Sequence, residues 1–599
     1  MISSRPSLIR TTASCRVKAS PSPHLWLHNP TFPFPEKRSK NLKLNATNSD
    51  LENTRPLIKF PPSLWADRFL SVPVEDELEL NGLTREIEDL KSKVREKLAF
   101  SPSDNDKERI RSIHLLISLG LSYHFESEIE DTLDRAFGNL AEIIADEYDL
   151  HTISIMFQVF RLYGHNMSCD VFDRFKGDDG KFRKNLEMDV RAMLSLYEAA
   201  HLGTTSNDMD EAMSFTSKYL ESLPIDLASP HLYSLIRNAL YQPRYHNMEI
   251  LFAREYISFY EQEEDRDEIL LKFAKLNFRR MQLHYIQELE IVSKWWKGLD
   301  LPSKLPYFRD RIVESYFATV GVYPEPRYSF QRTMVTKIFI IATVTVVDDS
   351  CDAYVTLPEV ASLVHGLERW DLGVIDSIPD YMKIVLRHAL LILSEVEREV
   401  KPEVRSQIKQ ETMEELKIIM RAFLQIAQWA RAGHVPTFEE YMEVGLVTTG
   451  IELLMKLGFV WMEHTNRKNV SEWLRSRPKI IQTVNAMFRL SNDKVSYKHE
   501  TSRGEVANGI NCYMKQFGVT TEEEAGGAIQ RMYDGNYKIL VEEFLNSTAS
   551  TDVPRNLLMR VLKMVGVFDV FYRDGDGFTY PRGKIDKHIT SLFVDRIQI

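Results

Sequence analysis

Several features that would mark other protein classes are scarce in this chain of 599 residues. Its four cysteines, Cys15, Cys169, Cys351 and Cys512, are scattered without a CxxC pair. Neither a disulfide framework nor a zinc site is therefore indicated, and a reducing compartment fits. Glycine and proline number only 25 each, which favours helices over a turn-rich β architecture.

The chain also lacks a basic surplus and a long apolar run. With a net charge of −11 and no nucleic-acid-binding motif, we expect no nucleic-acid partner. The longest apolar run, Ile338 to Val347, is about half the ~20 residues that a membrane helix needs, so we expect a soluble protein without a membrane span. A hydrophobic content of 44% supports a well-buried globular protein, and the length favours two large domains.

The amino terminus differs in composition from the rest of the chain. Residues 1–49 contain eight Lys or Arg residues, one acid (Glu36) and many serines, threonines and prolines. This basic, acid-poor composition predicts an organelle transit peptide over residues 1–50, in a plastid ahead of a mitochondrion. A merely disordered tail, the alternative, predicts no such charge bias.

After this leader, amphipathic helices follow one another with short polar joints. Apolar residues recur at spacings of three and four over Leu83–Leu98, Lys107–Leu121 and Ser127–Ala145, and residues 175–180 predict a turn. The charged stretch 261–268 is interpreted as a domain boundary, with a solvated helix face as the alternative. We therefore predict an all-α protein with domains at 51–265 and 266–599.

One segment is ambiguous. Lys337 to Val347 is rich in β-branched residues, and propensity alone would make it a strand. A helix buried on all sides gives the same apolar run, and periodicity does not separate the two. Because no alternating strand pattern flanks it, we predict a helix.

Two acidic clusters lie late in the sequence. If each cluster is helical, Asp348 and Asp352 share one helix face. In the second cluster, Asn492, Ser496 and Glu500 are spaced by four residues and form a stripe along one face. Hard oxygen ligands on two facing helices suit Mg²⁺, which leaves room for substrate phosphates. The predicted metal ligands are Asp348, Asp349, Asp352, Asn492, Ser496 and Glu500, and two such sites would clamp a diphosphate.

Several motifs in order make the chain resemble plant terpene synthases from Arg55 to Ile599. A lone DDxxD motif would be a weak signal, but the ordered set is highly specific. The matching segments are Arg55-Pro56 with Trp65, Arg309-Asp310-Arg311, Asp348-Asp349 with Asp352, Arg489 with Asn492, Ser496 and Glu500, Ser502 to Glu505, Cys512 to Met514, and Leu592 to Asp595.

The resemblance implies a carboxy-terminal catalytic helical bundle with an amino-terminal helical barrel. It also implies loss of diphosphate from a prenyl diphosphate substrate, with Mg²⁺ (or Mn²⁺), three ions, as cofactor, followed by cyclisation of the carbocation. Arg309, Arg311 and Arg489 would act as catalytic residues by holding the departing diphosphate, because arginine suits bidentate phosphate contacts. The implied substrate-binding residues are Arg309, Asp348, Asp352, Arg489, Asn492, Phe571, Tyr572 and Phe578. We expect a monomer.

A carbocation needs a dry, aromatic cavity, because water would quench it. By resemblance, Phe571, Tyr572 and Phe578 line that cavity, Thr448-Thr449-Gly450 matches a helix break, and Asp574 to Gly577 forms a loop that closes over the site.

Each of the site elements has a plainer interpretation when taken alone. The aromatics could be core, and Arg309, Arg311 or the stripe from Asn492 could be surface. Acids at a helix C-terminus oppose the dipole, which favours a metal at Asp348-Asp349.

Some positions depart from the family pattern without removing a ligand: Ser350, Cys351, Val355 and Lys494. The most useful departure is Ala318, where the fifteen-carbon cyclases usually carry Trp. The resulting space, together with a plastid leader, favours geranylgeranyl or geranylfarnesyl diphosphate as the substrate. Repacking by neighbours is the plainer alternative.

Other functions fit the sequence less well. A sesquiterpene synthase acting on farnesyl diphosphate is the alternative enzyme. Chain elongation would need a second DDxxD, and protonation-initiated cyclisation would need a DxDD in the amino-terminal half, which is absent. A catalytically dead helical scaffold predicts eroded ligands and a repeat of ~30–45 residues, neither of which is found.

Overall fold

In the computed structural model, the residues described are 60–72, 74–98, 106–206, 209–305, 307–341, 349–350, 355–369, 378–400, 402–462, 467–502, 504, 506–550 and 553–599. They all belong to one compact unit. Within them, the only β-type pairing is an isolated bridge between Lys176 and Phe182. The prediction of an all-α protein is confirmed.

Helices account for most of the described chain. In the amino-terminal half they are α1 (Val74–Leu98), α2 (Asp106–Ser118), α3 (Glu126–Gly138), α4 (Leu140–Ala145), α5 (Leu150–Leu162), α6 (Val190–Ala200), α7 (Asp210–Glu221), α8 (Pro230–Tyr241) and α9 (Glu249–Tyr260). Short 3₁₀ turns occur at Ser122–His124, Cys169–Phe175, Lys184–Met188, Ile225–Leu227 and Arg244–His246.

The carboxy-terminal half continues in the same style. Its helices are α10 (Glu268–Leu299), α11 (Leu301–Lys304), α12 (Ile312–Val322), α13 (Ser329–Ile338), α14 (Leu357–Arg369), α15 (Asp380–Glu399), α16 (Pro402–Ala432), α17 (Phe438–Thr448), α18 (Ile451–Val460), α19 (Arg467–Arg475), α20 (Lys479–Ser502), α21 (Gly509–Phe517), α22 (Glu522–Ser550), α23 (Arg555–Tyr572) and α24 (Lys584–Phe593). A further 3₁₀ turn covers Pro326–Tyr328.

Most of the predicted elements agree with these bounds. The helix expected over 127–145 is divided at Asn139, and residues 177–180 form the expected turn. Residues 261–267 connect α9 to α10 outside either helix, so the solvated-helix alternative is wrong. The domain boundary placed there stays a prediction. Residues 337–341 are helical, as predicted, and 342–347 lie outside the described residues.

Helix starts follow from local polar residues. Asp149, Asp189 and Ser229 each accept a backbone N–H of their helix's first turn, and Pro230 follows Ser229 with a φ suited to a first position. Thr437 and Glu440 form a reciprocal capping box on α17. The helices therefore begin where the sequence supplies side chains for otherwise unpaired donors.

Several helices of the carboxy-terminal half pack around α20, which carries the second predicted metal motif. It lies against α22, α23, α17 and α21, while α12 packs on α23, α10 and α13. Most residues of α12 and many of α23 are buried, so two sides of the bundle face a shared interior. Within the described chain, no helix combines the length and apolarity needed to cross a bilayer.

Candidate active site

In the first acidic cluster, the structure describes Asp349 and Ser350, and Asp349 is hydrogen-bonded to Arg309. The backbone N–H of Arg309 donates to Asp349 Oδ2 at 2.8 Å, and its Nε donates to Oδ1 at 2.5 Å. Asp349 is buried, and this burial raises its pKa against the opposing charge of Arg309. Both carboxylate oxygens are thus engaged by one residue. The role of Asp349 as a metal ligand stays a prediction, and Asp348 and Asp352 lie outside the described residues.

The second cluster lies on an uninterrupted helix. Asn492, Ser496 and Glu500 step by four within α20, which spaces them about 6 Å apart along one face. Ser496 is buried, and its Oγ has no hydrogen-bond partner. Glu500 Oε2 accepts from Asn508 Nδ2 at 2.5 Å, which fixes its orientation. The predicted stripe therefore exists as a row of oxygen atoms.

Asp493, which sequence reasoning left out, points elsewhere. Its Oδ1 accepts from Tyr441 Oη at 2.8 Å and its Oδ2 from the N–H of Gly509 at 3.0 Å. A Cβ at Gly509 would lie 2.5 Å from that oxygen, so glycine is needed for the approach. Burial raises the pKa of Asp493 to about 6, opposed by Arg489. Asp493 ties α20 to α17 and α21.

Arg489 contacts both Asn492, a predicted metal ligand, and the buried Asp493. Its Nη2 donates to Asn492 Oδ1 at 2.5 Å, and its Nε lies 3.4 Å from Asp493 Oδ1. Its side chain packs where a Cβ at Gly445 would stand only 2.9 Å from Cδ. The guanidinium is therefore placed beside Asn492, and its contact with a diphosphate stays a prediction.

Tyr572 shows that the two motifs converge. Its ring contacts Phe488 of α20, with the ring centroids 5.8 Å apart. Its pKa is raised by burial and by Asp576, while Arg309, Arg489 and Asn492 oppose this rise. The hydroxyl is thus near both arginines. The structure brings the described part of the first motif and the second motif to the same place.

Arg311 has a different environment from Arg309. It is fully buried, and its guanidinium donates to the carbonyls of Pro61, Asp310, Phe578 and Thr579 at 2.7–3.1 Å. In this arrangement it braces the amino-terminal segment and the loop after α23. A direct role with diphosphate stays a prediction.

Two groups of aromatic rings, each containing a residue of α23, form what is called the aromatic wall here. The ring centroid of Phe571 lies 5.6 Å from that of Phe317 and 5.9 Å from that of Phe578. The ring centroids of Phe578 and Phe339 are 5.6 Å apart. Phe488 contacts Tyr572 at 5.8 Å. Phe571 and Phe578 therefore belong to one group of rings with Phe317 and Phe339, and Tyr572 contacts Phe488 in a second group.

The predicted helix break and the small residue also have clear positions. Gly450, with φ of 68°, separates α17 from α18, a conformation that favours glycine. Ala318 is the one residue of α12 that is not buried, although every neighbour on that helix is. Because α12 lies inside the bundle, the face at Ala318 borders open space.

The loop after α23 is held by its own acids. Asp576 Oδ1 accepts from the N–H groups of Phe578 and Thr579 at 3.1 and 2.9 Å, and Tyr241 donates to Asp574. The ring of Tyr580 stacks on His499 of α20 at 5.1 Å. Both carboxylates have protein donors, and the loop lies against the end of the second motif.

The donor set fits a hard divalent cation. An amide oxygen, a hydroxyl without a partner and a carboxylate lie on one helix face, and Mg²⁺ prefers oxygen ligands. Asn492, Ser496 and Glu500 could hold such an ion here, and Arg309 and Arg489 could contact the oxygens of a bound phosphate.

The chain matches two family models and several named relatives. The model for the terpene synthase family metal binding domain matches residues 297–539, and that for the terpene synthase N-terminal domain matches residues 64–240. Terpenoid synthase 17 of Arabidopsis thaliana is 53% identical, covering 96% of each chain. A bifunctional dolabella-3,7-dien-18-ol synthase/dolathalia-3,7,11-triene synthase of the same plant, named as chloroplastic, is 44% identical over the whole of both chains.

A solved structure shows the same two-domain helical fold. Isoprene synthase from grey poplar leaves (Populus x canescens), in complex with three Mg²⁺ ions and dimethylallyl-S-thiolodiphosphate, is 28% identical with a TM-score of 0.78, covering 88% of this chain and 99% of that one. On the strength of the metal-binding domain, the converging motifs and these relatives, this chain belongs to the plant terpene synthase family and is an enzyme of that family.

Proposed function

We propose that the enzyme ionises a long prenyl diphosphate, geranylgeranyl or geranylfarnesyl diphosphate, with Mg²⁺ and cyclises the resulting carbocation. The observation that carries the substrate length is the open face at Ala318 on an otherwise buried helix. Relatives named for dolabella-3,7-dien-18-ol, which are diterpene synthases, support the longer substrate.

The metal ions, three as in the poplar enzyme, would be held by Asp348, Asp349, Asp352, Asn492, Ser496 and Glu500. When bound, they neutralise the charge of the leaving diphosphate without needing a proton. Arg309 and Arg489 keep the diphosphate in place by donating to its oxygens, because arginine matches phosphate geometry. They also hinder recapture of the cation by the anion.

Aromatic faces then act on the cation. Phe571, Tyr572 and Phe578 lie beside Arg309 and Arg489, so the developing charge begins close to π-faces that stabilise it by roughly 0.5–2 kcal/mol each. The loop that carries Phe578 covers the site and excludes water, which would otherwise end the cascade early.

The carboxy-terminal catalytic domain is proposed to begin at residue 266, and residues 1–50 to act as a plastid transit peptide. A chloroplastic relative and the basic composition of the leader support this location. A mitochondrial location is the alternative, and the chain is proposed to act as a monomer.

The test is a substrate panel. The purified enzyme is incubated with farnesyl, geranylgeranyl and geranylfarnesyl diphosphates, with and without Mg²⁺, and the products are identified by mass spectrometry. We expect metal-dependent cyclic products from one of the two longer substrates. Turnover of farnesyl diphosphate alone would replace this proposal with a sesquiterpene synthase, and products without metal would contradict the proposed ligands.

A further inference from the structure

A second cavity lies away from the aromatic wall, between helices of the two halves of the chain. Its volume is about 160 Å³. One side is formed by α2, α5 and the segment 244–252, and the other by α22 and α23. Several water molecules would fit, since one water needs about 10–15 Å³ by this measure. The cavity plays no part in the reaction described above.

Arg244 is a buried cation in its lining. It is 9% exposed, and its Nη1 donates to His114 Nε2 at 3.0 Å. Burial, aided by the charge of Arg244, keeps the pKa of His114 well below its usual range, so this partner is neutral. The carboxyl of Glu198 accepts the backbone N–H of Arg244 rather than its guanidinium, and burial raises the pKa of Glu198 to about 7 against the opposing charge of Arg244. No carboxylate in the described chain is hydrogen-bonded to this guanidinium.

Arg161 lines the same cavity in a similar state. It is 1% exposed, and its guanidinium donates to the carbonyls of Met167 and Leu202 and to the amide of Asn166. Burial lowers its pKa to about 10. Among the described residues it has no carboxylate within ion-pair distance either. Two buried guanidinium ions without a directly paired carboxylate in the described chain are unusual, because buried charges in proteins are normally paired.

Polar atoms without partners occur in the same lining. Nε of Arg560, a residue 2% exposed, is buried and donates to nothing, although its Nη atoms bind Glu325. The Oδ1 atoms of Asn247 and Asn556 are likewise buried without a partner. A side-chain amide can turn its NH₂ group toward a ligand, so all three groups can donate. Buried polar groups of this kind normally have a partner.

The lining of the cavity carries more basic than acidic side chains. Five cations, Arg161, Arg244, Arg555, Arg560 and Lys563, face three carboxylates, Glu126, Glu249 and Glu325. Glu126 is paired with Arg327, Glu249 with Lys563, and Glu325 with Arg560 and Lys563. Arg555 is paired with Glu130, which is outside the lining. Arg161 and Arg244 are therefore the two cations of the lining that form no ion pair with a carboxylate of the described chain.

We propose that this cavity is a binding site for a phosphate or diphosphate anion, separate from the catalytic metal site. Arg244 and Arg161 supply the charge, and Arg560, Asn247 and Asn556 supply further donors. Guanidinium groups and amides suit phosphate oxygens. Two sources share this chemistry, a free inorganic anion and the diphosphate end of a prenyl compound whose chain would lie against Leu162, Phe252 and Phe544 of the same lining.

The test is calorimetric titration of the full chain in buffer stripped of divalent cations, so that metal-assisted binding at the catalytic site is removed. The probes are inorganic pyrophosphate, inorganic phosphate and geranylgeranyl diphosphate, against chloride at equal ionic strength. We expect saturable binding of pyrophosphate. Tighter binding of the prenyl compound would identify it as the ligand, and equal or weaker binding would identify the free anion.

The variants are Arg244→Gln and Asn556→Asp, which remove a charge or place a carboxylate in the lining. Each should raise the Kd for pyrophosphate about tenfold or more, since a hydrogen bond to a charged group is worth about 1.5–3 kcal/mol. The exposed control Arg237→Gln and the catalytic-site variant Asn492→Ala should leave the Kd unchanged. Asn556→Asp keeps the test valid if Arg244→Gln does not fold. The proposal is overturned by absence of binding beyond chloride, or by binding that Asn492→Ala removes and Asn556→Asp leaves intact.

Discussion

Asn492 and Asp493 are adjacent in sequence but face different surroundings. Asn492 meets Arg489 and Tyr572 beside the candidate metal site, whereas Asp493 is buried against Tyr441 and Gly509. The helical step of 100° per residue separates them. A paired experiment can therefore separate catalysis from folding at two neighbouring positions.

Asn492→Ala should lower turnover about a hundredfold or more, because loss of a metal ligand weakens the neutralisation of the leaving diphosphate by several kcal/mol. Its melting temperature should stay near that of the wild type. Asp493→Ala should instead lower the free energy of unfolding by about 3–5 kcal/mol, since it leaves Arg489 buried without its partner. Kinetics and denaturant unfolding measure the two effects. Asn492→Asp, which keeps an oxygen ligand, is the control, and near-normal turnover in Asn492→Ala would sink the ligand assignment.

Ala318 gives a residue-scale test of substrate length. Ala318→Trp should fill the open face of α12, so turnover of the twenty- and twenty-five-carbon substrates should fall steeply. The shorter farnesyl diphosphate should still fit, and metal dependence should not change because the diphosphate end is untouched. The measurement is the ratio of turnover on long and short substrates, with Ala318→Gly as a control that keeps the space. An unchanged ratio in the tryptophan variant would remove the main support for a long substrate.

At the scale of elements, the amino-terminal segment and the loop after α23 meet at one buried residue. Arg311 donates to Pro61 on one and to Phe578 and Thr579 on the other. Arg311→Lys keeps the charge but cannot span these carbonyls, because an ammonium lacks the planar fork. The loop should loosen and admit water, so alcohols should rise relative to hydrocarbons among the products.

Hydrogen exchange of residues 577–583 should also become faster in Arg311→Lys. Arg489→Lys, which alters an arginine bonded to Asn492 and not to this loop, is the matched control and should lower turnover without this increase in exchange. If Arg311 instead touches the diphosphate, turnover would fall while the ratio of alcohols to hydrocarbons stayed constant. That result would restore the catalytic role predicted from the motif.

The same segment is attached through Trp65, whose Nε1 donates to Glu314 Oε1 at 3.1 Å. Burial raises the pKa of Glu314 to about 7, against the opposing charge of Arg311. A carboxyl with a raised pKa binds its proton more tightly when folded, so its contribution favours folding at acid pH and is lost as pH rises from about 4.5 to 7.

Glu314→Gln removes this titration and keeps an acceptor for Trp65. It should stabilise the protein at pH 8 by up to about 3 kcal/mol, at roughly 1.4 kcal/mol per pH unit, and have little effect near pH 5. Thermal melts across pH compare it with Glu264→Gln, an exposed control. An equal shift at both pH values would mean that Glu314 does not titrate in this range.

Sequence patterns predicted these elements unevenly, for physical reasons. The stripe at Asn492 follows directly from helical period, and the helix class follows from amphipathic spacing. The break at Asn139 gave no such signal, because the apolar pattern of 127–145 continues through it. The brace at Arg311 and the contact between Trp65 and Glu314 join residues about 250 positions apart, which spacing along a chain does not encode.

At the scale of the whole molecule, the two halves of the chain share contacts. His246 Nδ1 lies 2.6 Å from Asp569 Oδ2 in a partly buried contact, and Tyr241 donates to Asp574 of the loop after α23 at an exposed position. Gly566 permits the backbone of Asn247 to lie against α23, since a Cβ there would be 2.3 Å from its carbonyl oxygen. The amino-terminal half therefore supports the helix and loop that carry the aromatic wall, and a ligand in the second cavity would bind between the same surfaces.

The amino-terminal leader bears on the substrate, because the compartment to which it directs the enzyme decides which prenyl diphosphates the enzyme meets. Residues 1–49 carry eight basic residues against one acid, a composition typical of organelle import. A fluorescent protein fused after residue 54 should therefore accumulate in plastids, and a mitochondrial pattern would select the alternative. The matched control replaces Arg5, Arg10, Arg16 and Lys18 with glutamine, which should leave the fusion in the cytosol if charge drives import. A diffuse signal from the unaltered leader would contradict the transit peptide and weaken the case for a plastid substrate, while the metal site and the fold would stand unaffected.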